Sequence, residues 1–289
     1  MTKEQSLRYD VVQPENANLP PRVSFSQMSK YNQCGLRFYF SYVTSWREPQ
    51  TISLVVGSIT HEAIEHLYRL PQEERTVDRA LELVREHGMR MLKMNDYKPF
   101  ATDNEMKNKV DEAVKNLFTL ENPQELVVQP EHLEMELEVQ INGVRFFGKI
   151  DRFTQDGTAR VTDYKTGKLY KPNNVVDESK FNQPYLYALA FKELHDIDIE
   201  EVELIFLHAK DVLRRTVEQN RMLQLGEDLA TMHSESHRDL VESAWTAKRS
   251  NLCGSCAFNI ACPLVTPDAP KPGTPESDEL LRGAGLFQR

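Results

Sequence analysis

The 289 residues, 40% hydrophobic and 27% charged, suffice for one large domain or two modest ones with a real core. No apolar run approaches the roughly 20 residues that cross a bilayer, and the N-terminus lacks the apolar stretch of a secretory signal, so a cytoplasmic protein with no membrane segment is expected. The net charge of −9 argues mildly against a nucleic-acid binder, but residues 144–180 carry eight Lys/Arg against five Asp/Glu, a local excess of positive charge, and binding follows the local field.

In chain order, residues 1–22 are polar, contain Pro14 and Pro20, and read as a flexible arm. Aromatics at mixed spacing from residue 24 to 45 predict helix. Ser58 reads as the N-cap of the next helix, with Ile59, Ala63 and Leu67 on one face. Two more helices are predicted over 76–95 and 103–120, set off by Pro99 and Pro123. The period then becomes two. Leu133, Met135, Leu137, Val139 and Ile141 alternate with Glu134, Glu136 and Glu138, which predicts a strand with the glutamates on a solvent face. Asn142-Gly143 is a strong hairpin signal, and Asp156-Gly157 turns the chain again, so residues 133–166 read as a three-stranded antiparallel meander. Helix is expected over 179–195, strand over 201–209, and a long helix over 219–245 with Met222, Leu225, Leu229 and Met232 on one stripe. Residues 264–289, rich in Pro, Gly and acids, read as a disordered tail.

The meander concentrates chemistry. Asp151 and Asp163 lie five and six residues from the Asp156-Gly157 turn, so they face each other across it. Asp163 and Lys165, two apart, leave the same face of their strand. Two carboxylates beside a lysine suit one or two hard divalent cations, Mg²⁺ or Mn²⁺, and an ammonium aimed at a phosphate. For an isolated D-x-K, a cross-strand ion-pair cluster on a solvated face is the favoured reading. His61 falls near the predicted start of its helix, where the dipole keeps an imidazole neutral and ready for a metal; alone it also fits a surface or capping histidine. Nothing singles out His66 on the same helix. Gln183 and Tyr187, four apart, share a helical face; they suit contacts to phosphate or attacking water, and Tyr187 also suits core packing.

The four cysteines form C-x-x-C-x-x-x-x-x-C-P at Cys253, Cys256 and Cys262, with Cys34 lying 219 residues upstream of the first. Three thiols at this spacing point to a metal rather than disulfides. Zinc and iron–sulfur both accept four thiolates, and a buried core thiol is the alternative for Cys34.

The order of GxxxH (Gly57, His61), GxxDR (Gly148, Asp151, Arg152), DYKTG (Asp163, Lys165, Gly167) and QxxxY (Gln183, Tyr187) resembles the RecB-type branch of the PD-(D/E)XK nuclease superfamily. The resemblance implies a restriction-endonuclease-like α/β fold: a central mixed sheet flanked by helices, with the N- and C-terminal segments joined by the four cysteines. A nuclease domain would then span 23–263. It also implies a metal shell of His61, Asp151, Asp163 and the Tyr164 carbonyl. Lys165 would be the base or electrostatic stabiliser, and Glu134 stands where relatives often carry an acid. Iron–sulfur nucleases of the AddB and CRISPR-adaptation type have one cysteine before the core and three after it, followed by proline. That similarity implies a 4Fe–4S cluster on Cys34, Cys253, Cys256 and Cys262, although Gly35 replaces the proline many relatives have. The implied activity is a metal-dependent exonuclease on single-stranded DNA ends in recombination, repair, or phage or CRISPR DNA processing, with a helicase or recombination partner. The alternatives are a non-cleaving DNA-binding or recombination-complex subunit of the same fold, and a zinc protein with a surface ion-pair cluster.

Overall fold

A computed structural model describes residues 6–94 and 96–288. The elements are β1 (Ser6–Asp10), α1 (Phe25–Gln33), α2 (Gly35–Phe38), a π-helical turn (Tyr39–Val43), α3 (Ile52–Arg69), α4 (Val77–Met91), α5 (Asn104–Leu120), β2 (Leu133–Ile141), β3 (Val144–Asp156) and β4 (Thr158–Lys165). They continue with α6 (Asn182–His195), β5 (Glu201–Phe206), β6 (Asp211–Thr216), α7 (Gln219–Val241), β7 (Ala244–Lys248) and α8 (Pro275–Gly283). The chain divides into two compact units: Gln50–Val139 with Gly148–Gly226, and Met1–Pro49 with Gln140–Phe147 and Glu227–Arg289.

The first unit is built on a mixed sheet of order β2-β3-β4-β5-β6. β3 and β4 are antiparallel, β4 and β5 parallel, β5 and β6 antiparallel. The parallel pair requires a crossover, and α6 supplies it. Its interior helical positions are buried almost throughout, so its sequence shows little amphipathic contrast. Helices α3, α4 and α5 bury Val55, Ile59, Leu67, Leu83, Val114 and Leu117 with Tyr164, Ile205 and Leu207 of the sheet region. Phe153 of β3 meets Phe191 of α6 with ring centroids 4.5 Å apart. This mixed sheet flanked by helices is the restriction-endonuclease-like α/β arrangement.

A buried ion pair ties the helices to the sheet. Arg152, 2% exposed, donates to Glu121 Oε1 at 2.9 Å and Oε2 at 2.8 Å, and also bonds the Tyr164 hydroxyl. Glu121 is the C-cap of α5. Burial opposes its charge, but Arg152 outweighs burial and holds the carboxyl below its usual range.

Two boundaries differ from the expected ones. α3 starts seven residues before Ile59, capped by the Thr51 side chain rather than Ser58, whose hydroxyl instead donates to the Leu54 carbonyl within the helix. The helix expected over 219–245 ends at Val241, and residues 244–248 form β7. β6, an edge strand of sequence DVLRRT, shows too little apolar alternation to stand out in the sequence.

In the second unit, β1 lies within the segment expected as an arm and α8 within the segment expected as a tail. β1 pairs antiparallel with β7, from Ser6 opposite Lys248 to Asp10 opposite Ala244. The Val12 N–H donates to the Pro272 carbonyl at 2.8 Å. Gly273 has φ of 84°, and a Cβ there would lie 1.9 Å from the Val12 carbonyl oxygen and 2.2 Å from the Tyr39 hydroxyl. Helix α8 is capped by Thr274, buries Leu281, and accepts the Trp46 indole N–H on Asp278 at 3.2 Å. Proline and glycine, which by composition alone suggest disorder, here shape turns that pack on aromatic residues. Within this unit Glu48 accepts from Lys30 at 2.7 Å and from Arg37 Nε at 3.0 Å. No described helix is long and apolar enough to cross a membrane.

Arg152→Ala leaves Glu121 buried without its cation and lowers unfolding free energy by about 3–5 kcal/mol in urea titrations, whereas Arg152→Met with Glu121→Leu recovers most of the loss. Burial pushes the Glu48 carboxyl up, but Arg37 and Lys30 outweigh it and hold it at about 2 against an ordinary 4.5. A depressed carboxyl stabilises above its unfolded value and loses that contribution as pH falls through the folded one. The stability gap between wild type and Glu48→Gln, about 1–2 kcal/mol at neutral pH after solvent screening, therefore closes as pH falls from about 4.5 to about 2.

Candidate active site and cysteine cavity

The β3–β4 ladder runs from Asp156 opposite Thr158 to Arg152 opposite Thr162. At its end the Asp151 carboxylate accepts the Tyr164 N–H at 2.7 Å. A side chain thus holds the strands together where the backbone pairing stops. His61 reaches this point from the middle of α3, with Nδ1 3.4 Å from Asp151 Oδ2. Gly57, one turn earlier, permits the approach: a Cβ there would sit 3.3 Å from Thr166 Oγ1.

Glu134 completes the cluster. One ligand atom from each of His61, Glu134 and Asp151 lies within 4.8 Å of the others. Strict alternation along the strand would send Glu134 to solvent with Glu136 and Glu138. Its φ of 50° breaks that alternation, and burial along β2 recurs at Leu133, Leu137 and Ile141 instead of every second residue. Left-handed backbone at a non-glycine residue is costly and gathers at functional sites. An acid at this place is the available sequence signal; its conformation is not legible there.

Lys165 pairs with Asp163 Oδ2 at 2.6 Å. Lys165 also donates to Gln183 Oε1 at 3.0 Å, and Gln183 donates to the Tyr187 hydroxyl at 2.8 Å. The Q-x-x-x-Y pair of α6 therefore anchors the lysine.

The electrostatics follow from crowding. Burial lifts the Asp163 carboxyl despite Lys165, with Asp151 adding to the rise. Burial likewise opposes charge on Asp151, but His61 outweighs it and holds that carboxyl down. Burial and Asp151 push Glu134 up. For His61, burial disfavours the imidazolium, yet Asp151, Asp163 and Glu134 together push it up to about 9. His61 sits mid-helix rather than near the start of α3, so the carboxylates around it, not the helix terminus, are its electrostatic neighbours. Three acids crowded around an imidazole make a donor set suited to a divalent cation.

In the second unit Cys34, Cys253, Cys256 and Cys262 line one cavity with Arg37, Leu252 and Leu264. Cys34 ends α1 and begins α2 in extended conformation. Gly35 follows because a Cβ there, proline's included, would stand 3.1 Å from the Thr246 carbonyl oxygen. The sulfurs accept backbone N–H groups: Cys253 from Ser250 at 3.3 Å, Cys256 from Phe258, Cys262 from Leu264 and Val265. Among the described residues, no three cysteine sulfurs lie within 4.8 Å of one another.

The sequence matches the PD-(D/E)XK nuclease superfamily over residues 22–263. Among solved structures, one from Eubacterium rectale described as a "Putative exonuclease" shares 13% identity, covers 83% of this chain and 88% of its own, and superposes with a TM-score of 0.52. The crystal structure of SSO0001 shares 12% identity over 76% of this chain and 89% of its own, with a TM-score of 0.28. No curated protein matches. The first structural likeness supports the fold; the family match spans most of the chain, including the cluster around Asp151 and the cysteine cavity. The chain belongs to the PD-(D/E)XK nuclease superfamily.

Proposed function

We propose that the protein is a divalent-metal-dependent exodeoxyribonuclease acting on single-stranded DNA ends in recombination, repair, or phage or CRISPR DNA processing. The observation that carries this reading is the convergence of His61, Glu134 and Asp151 within 4.8 Å, beside the Asp163–Lys165 pair. His61, Glu134, Asp151, Asp163 and the Tyr164 carbonyl hold the cation. Bound Mg²⁺ or Mn²⁺ offsets phosphate charge and lowers the pKa of a coordinated water. Lys165, fixed between Asp163 and Gln183, presents its ammonium to the phosphate oxygens as charge builds there. Water attacks phosphorus and gives a proton to solvent, the P–O bond to the leaving nucleotide breaks, and the leaving oxygen takes a proton from solvent. Gln183 and Tyr187 position Lys165.

Cys34, Cys253, Cys256 and Cys262 hold a 4Fe–4S cluster. The four cysteines line one cavity, and the three C-terminal ones carry the C-x-x-C spacing followed by a third cysteine and proline. Backbone N–H groups aimed at the sulfurs suit thiolates. The cluster closes a loop of more than two hundred residues, where loop-closure entropy is large. A helicase partner would supply the single strands.

With Mn²⁺, wild type shortens end-labelled single-stranded oligonucleotides and spares circular single strands, while Lys165→Ala slows cleavage by about 10²–10³-fold or more. Equal rates in the two proteins refute the assignment of Lys165; a wild type that binds DNA without cutting it makes the protein a non-cleaving subunit. Cys256→Ala loses bound iron and melts at lower temperature; unchanged metal content and melting temperature would exclude the clasp.

A further inference from the structure

Given the nuclease reading of the Lys165 site, on which this rests, we propose that the loop between β4 and α6 is a landing surface for single-stranded DNA. The Tyr170 ring stacks on an unpaired base, and Lys168 and Lys210 hold phosphates. Tyr170 is 73% exposed, more than any other aromatic among the described residues. Lys168 and Lys210 are exposed as well. Among the described residues, none of these three side chains has a hydrogen-bond or ion-pair partner.

Position separates this ring from an incidental surface residue. β4 and β5 are parallel and end together, with Lys165 opposite Phe206. Phe206 in turn stands opposite Asp211, the first residue of β6. Asp211 is therefore two strand spacings, about 10 Å, from Lys165. The Lys171 ammonium pairs with the Asp211 carboxylate, which tethers the residue next to Tyr170 beside the active-site lysine. Pro172 and the left-handed Asn173 and Asn174 then bend the chain. Lys210 adjoins the same anchor from the β5–β6 turn, and Lys168 lies between the anchor and Lys165 along the chain. Ligands of open α/β sheets collect at the carboxyl ends of the parallel strands, and this surface lies at that end of β4 and β5. An aromatic face flanked by free ammoniums suits an unpaired nucleotide, with a π surface for the base and cations for the phosphates. Bases inside a duplex are already stacked on both faces, so the ring favours single strands.

The test is fluorescence anisotropy, with Ca²⁺ replacing Mn²⁺, on a labelled single-stranded oligonucleotide, the matching blunt duplex and an abasic strand of the same length. The full chain is compared with Tyr170→Ala, Tyr170→Phe and the double variant Lys168→Ala, Lys210→Ala. Tyr170 is exposed, so its replacement leaves packing intact, which an unchanged melting temperature checks. The expected result is that Tyr170→Ala weakens single-strand binding about tenfold or more, leaves duplex and abasic binding unchanged, and that Tyr170→Phe keeps most of the affinity. The double lysine variant flattens the slope of log affinity against log salt by about 1.4 on single strands. Equal single-strand affinity in wild type and Tyr170→Ala, or an equal loss on all three DNAs, overturns the stacking role while Lys165-dependent cleavage still stands. An unchanged salt slope in the double variant overturns the phosphate contacts. A wild type that neither binds nor cuts DNA removes the nuclease reading and this surface together.

Discussion

The bond from the Tyr164 N–H to the Asp151 carboxylate fixes the geometry on which the rest depends. It sits where the β3–β4 ladder ends, so one side chain replaces the missing backbone pair. The residue after Asp151 is Arg152, which points to the opposite face and locks the C-cap of α5. The residue before Tyr164 is Asp163, which faces Lys165. Strand alternation thus divides the neighbours between two faces, one securing the helical layer and the other gathering charge.

The cost of gathering charge is visible in the surroundings. Acids crowd His61, and Asp163 meets burial with the Lys165 ammonium for relief. Arg152 and Glu121 offer the comparison within the same unit, a pair joined through two hydrogen bonds.

Much of this is legible in the sequence, because the relevant signals are local. The hairpin at Asn142-Gly143 requires positive φ at both residues, and both have it. Period-two spacing sets Asp163 and Lys165 on one face, and the turn length sets Asp151 opposite them. The gap around Glu134 has a local cause too, since a left-handed glutamate shifts the alternation without changing the letters. The start of α3 is misread because Ser58 looks like a cap while Thr51 is one, and the charge state expected for His61 depends on that start. The two-stranded sheet of the second unit is not legible at all. β1 and β7 are five residues each and pair across nearly the whole chain, a separation no local pattern encodes.

Gly273 makes the end of the homologous region a poor guide to where the folded protein stops. Similarity to the superfamily runs out at residue 263, but the Val12 carbonyl and the Tyr39 ring are roofed by backbone ten residues further on. A gene trimmed to the matched region would uncover Tyr39 and Trp46 together, so the trimmed product would be prone to stick to itself whatever the state of its catalytic residues.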